Sequence, residues 1–466
     1  MPEKKWYTNS FRRNLVDMHI SDWDESFLSQ FDPEQYLKCL KIANIKSAMI
    51  YLQSHTGLCN WKSESGKTHR AFLKDNKIKT LIDLCHKNQI DVIAYYSLIY
   101  NNYACDSHPD WRMLDVEGKP SRSGSGSQGM GTGGRYGLVC PNNEGYRNFV
   151  LTQFREFCDI YSFEGVFLDM TFWNFPCHCE SCRRKYRLSA GNEIPELVDF
   201  NNVEWRKYQL WRQNCMGEFA EFCTEELKKL KPEVSVEHQF STICQPWNRA
   251  VDGMVNKASD YSGGDLYGGH LQESYICKIY LEATRNQPFE YMTSRCDPEL
   301  SVHTATKTFN QMRLHNHLTL SHHGAVLFID AIDPVGTLNE DVYRQIGKVF
   351  EETMPLEKYL NGNLVAEAAL IMSYDSKFDI HQKASLPKHA GYGHPQLDSQ
   401  LALSAILRRL NMLYTVVPSD KLASLKGKKL LFLPTLRSFV KPRSAQYQNS
   451  SAKEDVCIFP ELPILN

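Results

Sequence analysis

Short runs of apolar residues alternate along most of the chain with longer amphipathic stretches. The runs are rich in β-branched and aromatic residues, and the stretches repeat apolar residues at helical spacing, which is typical of β-α units around a parallel sheet. Helices are predicted at Lys77–Asn88, Tyr146–Tyr161 and Trp205–Leu230. Eight strands are predicted, at about Asn14–His19, Ser47–Gln53, Asp91–Ser97, Gly165–Asp169, Val234–His238, Ser259–Ser262, Phe289–Thr293 and Ala325–Ile329.

This pattern predicts an α/β protein built on a (β/α)8 TIM barrel. Such a barrel takes about 250 residues or more, so the 466 residues leave room for a smaller second unit. We predict a catalytic barrel over 1–360 and a partial flavodoxin-like, trimerisation-like α/β domain over 361–437, since that region is short for a doubly wound domain. Residues 438–466 lose all periodicity and are expected to form an irregular tail.

Polar and titratable residues follow the ends of most predicted strands. Parallel barrels place their chemistry at the carboxyl ends of their strands, so the set as a whole predicts an active site, although each member could cap a helix. Strand 4 ends in Asp169, which makes this carboxylate the central candidate. The other residues at strand ends include His19, His55, Glu237, His238, Gln239, Arg295 and Asp330.

Charge and composition exclude several classes of partner. The chain has 53 basic and 54 acidic residues, so it lacks the basic surface that nucleic acids or anionic membranes require. No apolar stretch has the length of a signal peptide or a membrane span. Fifteen cysteines without an export signal indicate free thiols in a reducing compartment, and the cytoplasm is the expected location.

A glycine- and serine-rich stretch, Ser121–Gly137, resembles a phosphate-binding loop at first sight. It lacks the terminal Gly-Lys-Ser/Thr and does not lead from a strand into a helix. We therefore expect a mobile loop over the mouth of the barrel.

The sequence CHCESC, Cys177–Cys182, places three thiols within six residues. Three such thiols can converge on one tetrahedral ion, and a fourth cysteine would close a structural zinc site. Cys140 is the candidate for that fourth ligand. The alternative is that these cysteines are scattered, unrelated thiols.

The same segments carry a family resemblance. CPNNEGYR (Cys140–Arg147) followed by CHCESCRRKY (Cys177–Tyr186) is similar to family 42 β-galactosidases, whose barrels hold a four-cysteine zinc site. The resemblance implies a closed structural zinc on Cys140, Cys177, Cys179 and Cys182. The catalytic pair of that family does not carry over, because Asp169-Met170 replaces its Asn-Glu and Thr293 replaces its second glutamate.

A second resemblance concerns the sugar. GVFLDMTFW (Gly165–Trp173) resembles the strand that carries the nucleophile in family 29 α-L-fucosidases, and Tyr51–Trp61 resembles their histidine-containing turn. The segment Gly324–Gly347 resembles their last strand and helix. The whole barrel, about residues 10–355, is similar to family 151 α-L-fucosidases. The resemblance implies a retaining α-L-fucosidase with Asp169 as nucleophile.

Further site residues follow from the same resemblance and from position. His19, His55 and Trp61 are expected to line the pocket for the terminal sugar, with Trp173 as an apolar wall. For the acid/base, Glu237 is the first choice, since it ends strand 5 beside His238, which can bond sugar hydroxyls. Asp265 is a rival and also a candidate for substrate binding, and Glu290 is the third choice.

Three functions remain open from the sequence. The first is a retaining α-L-fucosidase, the second a β-galactosidase-like hydrolase on the same scaffold, and the third a catalytically silent carbohydrate-binding or assembly protein. A carbohydrate is the expected partner in each case. The sequence does not decide between a monomer and a homo-oligomer.

Overall fold

The computed structural model describes residues 5–123, 135–298, 300–435 and 457–459. Seven parallel strands form the path of a nine-stranded main sheet, and strand 8 pairs with strand 1. We number them by their place in the barrel. Strands 1 to 5 are Arg12–Asp17, Ser47–Gln53, Asp91–Ser97, Gly165–Asp169 and Ser235–His238, and strands 7 and 8 are Glu290–Ser294 and Ala325–Ala331.

The sixth place in the barrel is filled by an irregular segment, residues 259–266. Gln239 bridges to Gly263 on one side, and Asp265 bridges to Met292 on the other, both in parallel. These two bridges connect strand 5 to strand 7. The predicted TIM barrel is therefore confirmed, with a sixth strand reduced to single bridges.

Helices surround the barrel, and most begin at a side chain that caps the first turn. Asp32 accepts from the backbone nitrogen of Glu34, and Asn143 accepts from that of Tyr146. The α-helices of the barrel region are Pro33–Ile42, Lys77–Lys87, Asn102–Ser107, Glu144–Ile160, Glu180–Ala190, Val203–Leu230, Gly253–Lys257, His270–Ala283, Phe309–Leu320 and Glu340–Thr353.

Short strands border the barrel mouth. They are Leu58–Cys59, Lys67–Thr68, Arg122–Ser123 and Tyr136–Gly137. The last two pair antiparallel at the base of the glycine-rich stretch. The expected mobile loop itself falls mostly on 124–134, outside the described residues.

The sequence placed strands 2, 3 and 4 correctly, but strand 1 begins and ends two residues earlier than expected. Its first residues are Arg12 and Arg13, whose charges hid the strand from a hydrophobic pattern. Arg13 is fully buried inside the barrel, where Nη1 lies 2.8 Å from Oε2 of Glu290. His19 consequently lies two residues beyond the strand, on the loop that follows.

A smaller parallel sheet follows the barrel and confirms the second α/β unit. Its strands, in spatial order, are Tyr414–Pro418, Ala368–Met372, Leu430–Phe432 and Cys457–Phe459, with the helix Pro395–Arg409 beside them. The expected irregular tail, 438–466, lies outside the described residues except for that last strand. Across the described part of the chain, every helix is too short or too polar to cross a lipid bilayer.

Candidate active site

A cavity of about 370 Å³ opens at the carboxyl ends of the barrel strands. Three aspartates line it, namely Asp17 at the end of strand 1, Asp169 at the end of strand 4 and Asp265 in the sixth place. Two histidines, His19 and His55, lie beside them. Of the predicted site residues, the structure therefore brings together Asp169, Asp265, His19 and His55.

Asp169 is held in a fixed orientation by two hydrogen bonds. The hydroxyl of Tyr95 on strand 3 donates to Oδ2, and the backbone nitrogen of Met170 donates to Oδ1 at 2.7 Å. Met170 has a φ of 59°, the left-handed region that non-glycine residues rarely adopt. The chain thus turns sharply after Asp169, and the carboxylate faces the cavity.

The charge state of Asp169 reflects opposing influences. Burial, followed by the negative charge of Asp265, raises its pKa to about 7, and the donors Tyr95 and Met170 act in the lowering direction. Protonation and ionisation of Asp169 are therefore both within reach near neutral pH. A buried carboxyl with a neighbouring carboxylate is a common arrangement in acid-base sites.

His55 presents a hydrogen-bond acceptor to the cavity. Its Nδ1 lies 2.7 Å from Oγ of Ser97, and that hydroxyl donates to the carbonyl of Tyr100 at 2.9 Å. Ser97 must therefore accept from Nδ1–H, which leaves Nε2 unprotonated. Nε2 lies 3.8 Å from Oδ2 of Asp169, and burial lowers the pKa of His55 well below its ordinary value.

His19 stacks on His55, with ring centroids 3.7 Å apart. Its Nε2 lies 3.1 Å from Oδ1 of Asp17, which also accepts from the hydroxyl of Tyr51 at 2.8 Å. Burial lowers the pKa of His19, although Asp17 opposes this shift. The cavity thus holds two stacked imidazoles next to an oriented carboxyl.

Asp265 reaches the cavity from the irregular segment. Nε2 of Gln239 donates to its Oδ1 at 2.6 Å, and the hydroxyl of Tyr267 also interacts with it. Its bridge to Met292 on strand 7 holds Asp265 at the sixth place of the barrel, where it lines the same cavity as Asp169.

Glu237 does not line the cavity. In the strand 4–strand 5 ladder it lies opposite Phe167, two residues before Asp169, so its side chain enters the barrel interior one layer deeper. It is 1% exposed, and burial and the charge of Glu290 raise its pKa well above the ordinary value. Glu290 is equally buried and paired with Arg13. Both glutamates belong to an interior charge cluster.

Three other predicted residues also lie away from the cavity. Trp61 is buried and donates from Nε1 to Glu156 at 2.8 Å, and Trp173 donates from Nε1 to a backbone carbonyl at 3.2 Å. The imidazole of His238 lies between two threonine hydroxyls at 3.1 and 2.9 Å, with its pKa lowered to about 3 by burial. These three side chains are buried in the packing around the barrel and do not line the cavity.

Several lining residues are not among the predicted site residues, Asp17 being one of them. Alternate residues of a barrel strand point inward, so correct strand bounds are enough to predict that Asp17, Tyr51 and Tyr95 face the barrel interior. Arg135 could not be found in this way: it lies at the end of the glycine-rich stretch and donates to the carbonyl of His19 at 3.0 Å. Tyr136 comes from the short strand that follows Arg135, and Tyr267 and His303 come from loops.

Beside strand 4, the four predicted metal ligands converge. Cys140, Cys177, Cys179 and Cys182 are all buried, and their sulfur atoms lie within 4.8 Å of one another. Sulfurs around a tetrahedral zinc lie about 3.8 Å apart. Cys140 and Cys182 are 3.4 Å apart, and Nδ2 of Asn142 donates to the latter. This four-cysteine cluster therefore fits a tetrahedral metal ion.

Comparisons with known proteins agree with this architecture. A family model described as hypothetical glycosyl hydrolase 6 matches residues 32–170, the part that contains His55 and Asp169. The barrel resembles those of glycoside hydrolases. Curated proteins give no sequence match.

Several solved structures share the fold. α-L-Fucosidase isoenzyme 2 from Paenibacillus thiaminolyticus superposes with a TM-score of 0.77 at 19% identity, over 96% of this chain and 63% of that one. A β-galactosidase from Halorubrum lacusprofundi superposes with a TM-score of 0.68 at 14% identity, over 94% of this chain and 71% of that one. A catalytic mutant of a GH42 β-galactosidase from G. stearothermophilus superposes with a TM-score of 0.71 at 12% identity, over 95% of this chain and 70% of that one. The chain thus spans less than two thirds of the fucosidase, and the predicted likeness in fold to both groups is confirmed.

Proposed function

We propose that this chain is a retaining glycoside hydrolase that removes terminal α-L-fucose, with Asp169 as the nucleophile. The observation that carries the proposal is the placement of Asp169: it ends strand 4, faces the cavity and accepts two hydrogen bonds. Donors to a carboxylate stabilise its charged form, which is the form that attacks an anomeric carbon. The likeness to the Paenibacillus fucosidase supports the choice of sugar.

In a retaining mechanism, one carboxylate attacks the anomeric carbon while a second carboxyl protonates the leaving oxygen. The second group then removes a proton from the water that releases the sugar. Among the three acid/base candidates, Asp265 lines the cavity, whereas Glu237 and Glu290 are buried in the interior cluster. We therefore assign the acid/base role to Asp265.

The remaining lining residues suit a 6-deoxy sugar. Nε2 of His55 can accept from a sugar hydroxyl. Asp17 and the backbone nitrogen of His55 hold the two ring nitrogens of His19, whose imidazole supports that of His55 by stacking. Phe167, Met292 and Ile329 contribute apolar surface to the same cavity, against which a C5-methyl group would pack. The volume of about 370 Å³ lies near the lower end of the range of about 300–1,000 Å³ for ligand pockets, as a monosaccharide site requires.

The proposed metal of the four-cysteine cluster is a structural zinc. Four thiolates occupy every position of a tetrahedral zinc, so no coordination site remains for substrate or water. When bound, this ion holds the segment at Cys140 against the start of the helix Glu180–Ala190. It takes no part in the proposed chemistry.

A panel of nitrophenyl glycosides tests the choice of sugar. We expect turnover of the α-L-fucoside at least about tenfold faster than of the β-D-galactoside, since the apolar surface of the cavity suits the C5-methyl group of fucose better than the hydroxymethyl group of galactose. Faster turnover of the β-D-galactoside would favour the galactosidase-like alternative. Lack of turnover of every member would favour a binding protein.

The acid/base assignment has its own test. Asp265→Ala is expected to cleave an activated aryl fucoside far better than a natural disaccharide, because a good leaving group departs without protonation, and azide is expected to restore its activity. Glu237→Gln, the matched buried control, should show neither effect. Azide rescue in the Glu237 variant alone would return the role to strand 5.

A further inference from the structure

Two histidines and a glutamate converge outside the barrel, between the helices His270–Ala283 and Phe309–Leu320. Nδ1 of His315 lies 2.7 Å from Oε2 of Glu273, and Nδ1 of His270 lies 3.4 Å from the same oxygen. The two imidazole rings are 4.9 Å apart. The three potential ligand atoms lie within 4.8 Å of one another.

We propose that His270, Glu273 and His315 bind a divalent transition metal ion, zinc being the probe of choice. Zinc takes imidazole nitrogen and carboxylate oxygen at about 2.0–2.2 Å, so two ligands of a tetrahedral site lie about 3.3 Å apart. The distances from Oε2 of Glu273 to Nδ1 of His315 and of His270, 2.7 and 3.4 Å, lie on either side of that value. The third pair, the two imidazole nitrogens, lies within 4.8 Å, so small side-chain rotations would bring the three atoms around one ion.

The charge balance of Glu273 favours a cation at this position. Its side chain is fully buried, and its ion pairs among the described residues are to histidines alone. A buried carboxylate without a permanent positive partner is costly, and a divalent ion supplies that charge.

The surrounding contacts leave the correct atoms available. Oγ1 of Thr319 donates to Oε1 of Glu273 at 3.2 Å, which fixes the carboxylate and leaves Oε2 facing the two imidazoles. Hydrogen bonds that orient a ligand in this way are usual around metal sites. Since the side chain of His270 is 41% exposed, water reaches the fourth position of the ion. The site is thus open, unlike the four-cysteine cluster.

The location gives the site a link to the cavity. His270 begins its helix directly after the segment that carries Asp265 and Tyr267, and His315 belongs to the next helix along the barrel. An ion on these ligands ties the end of that segment to its neighbouring helix. The proposal does not depend on the nature of the reaction in the cavity.

The test counts zinc ions in the intact chain. After saturation with zinc and removal of the excess, His270→Ala and His315→Ala should each hold about one ion fewer than the wild type. His317→Ala is the matched control: His317 lies on the same helix, is 38% exposed and pairs with Glu352. We expect the control to hold as much zinc as the wild type. Equal zinc contents in all four proteins would overturn the proposal.

Cobalt provides a second readout that separates the two kinds of site. Co²⁺ on nitrogen and oxygen ligands gives weak visible bands without the intense near-ultraviolet absorption of thiolates. His270→Ala should remove the weak bands and leave any thiolate bands unchanged, and because this side chain is partly exposed the variant should fold. Cobalt spectra identical to those of the wild type in the folded variant would contradict the assignment.

Discussion

Asp169 shows how a functional residue can be unfavourable for stability. The structure surrounds it with protein on nearly every side and places Asp265 within electrostatic reach, and both effects raise its pKa. A folded-state pKa above the ordinary value means that the protonated form stabilises the fold at low pH. That contribution is lost as the pH rises through about 7, where the buried group becomes charged.

Asp169→Asn should therefore abolish activity and increase stability at alkaline pH. Losing a nucleophile should lower turnover by roughly 10³-fold or more, at about 1.4 kcal/mol per tenfold. At pH 8 the melting temperature should rise by on the order of a few degrees, since the variant avoids a buried charge, and at pH 4 the gain should be smaller. Activity above about a tenth of the wild type would rule out the nucleophile role.

The pH profile distinguishes a nucleophile from a general acid at this position. If Asp169 must be ionised to attack, kcat/KM of the free enzyme rises with pH through about 7. In Asp265→Asn, assayed with an activated substrate, the rise of kcat/KM with pH should occur at lower pH. The reason is that the variant lacks the neighbouring charge that raises the pKa of Asp169. A limb that falls through pH 7 would instead identify Asp169 as the acid.

At the scale of elements, the four-cysteine cluster joins the segment before the helix Glu144–Ile160 to the segment that follows strand 4. A metal ion bound to the four thiolates would fix the far end of the loop after Asp169. The sequence could identify the three close cysteines by spacing, and Cys140 by resemblance. Their convergence depends on the pairing of strands 3 and 4, which only the fold supplies.

Cys182→Ser should lower the zinc content by about one ion per chain and destabilise the protein, because the remaining thiolates no longer close the tetrahedron. Cys158→Ser is a suitable control, since Cys158 is also buried but lies outside the cluster. Elemental analysis and thermal unfolding measure both effects. An unchanged zinc content in the Cys182 variant would refute this metal site.

At the scale of the molecule, the smaller sheet packs on the barrel through shared contacts. The hydroxyl of Tyr275, on a barrel helix, bonds to Gln400 of the helix beside the smaller sheet. Nζ of Lys377 donates to the carbonyls of Thr242 and Val251 in the barrel, both at 3.2 Å. Apolar residues of both units belong to one continuous core, Leu370 among them.

This shared core predicts that barrel and smaller sheet unfold together. Leu370→Ala should cost about 2–5 kcal/mol, because a fully buried side chain leaves a cavity. Loss of activity and loss of helical circular dichroism should shift to lower temperature in parallel. Leu410→Ala, at a site 65% exposed, should leave both unchanged. Two separate transitions in the Leu370 variant would show that the units are independent.

The sequence by itself determined most elements of the barrel. Strands 2 to 4 and the long helices have periodic apolar residues over their own length, and such patterns depend on near neighbours in the chain. Asp169 was found for the same reason, since it ends an unbroken apolar strand. The predicted strand 1 begins two residues too far along the chain, because the buried Arg13 pairs with a residue 277 positions away. A pattern of near neighbours does not contain that information.

Only the tertiary structure decided which second carboxyl group shares the cavity with Asp169. The register of strands 4 and 5 places Glu237 opposite Phe167 and turns it into the interior, while the bridge from Asp265 to Met292 carries Asp265 to the cavity. Register and loop path are set by packing between distant segments. The convergence of His315 on Glu273, 42 residues apart, has the same origin. Spacing along a chain states which residues are present, and the fold determines which of them are neighbours.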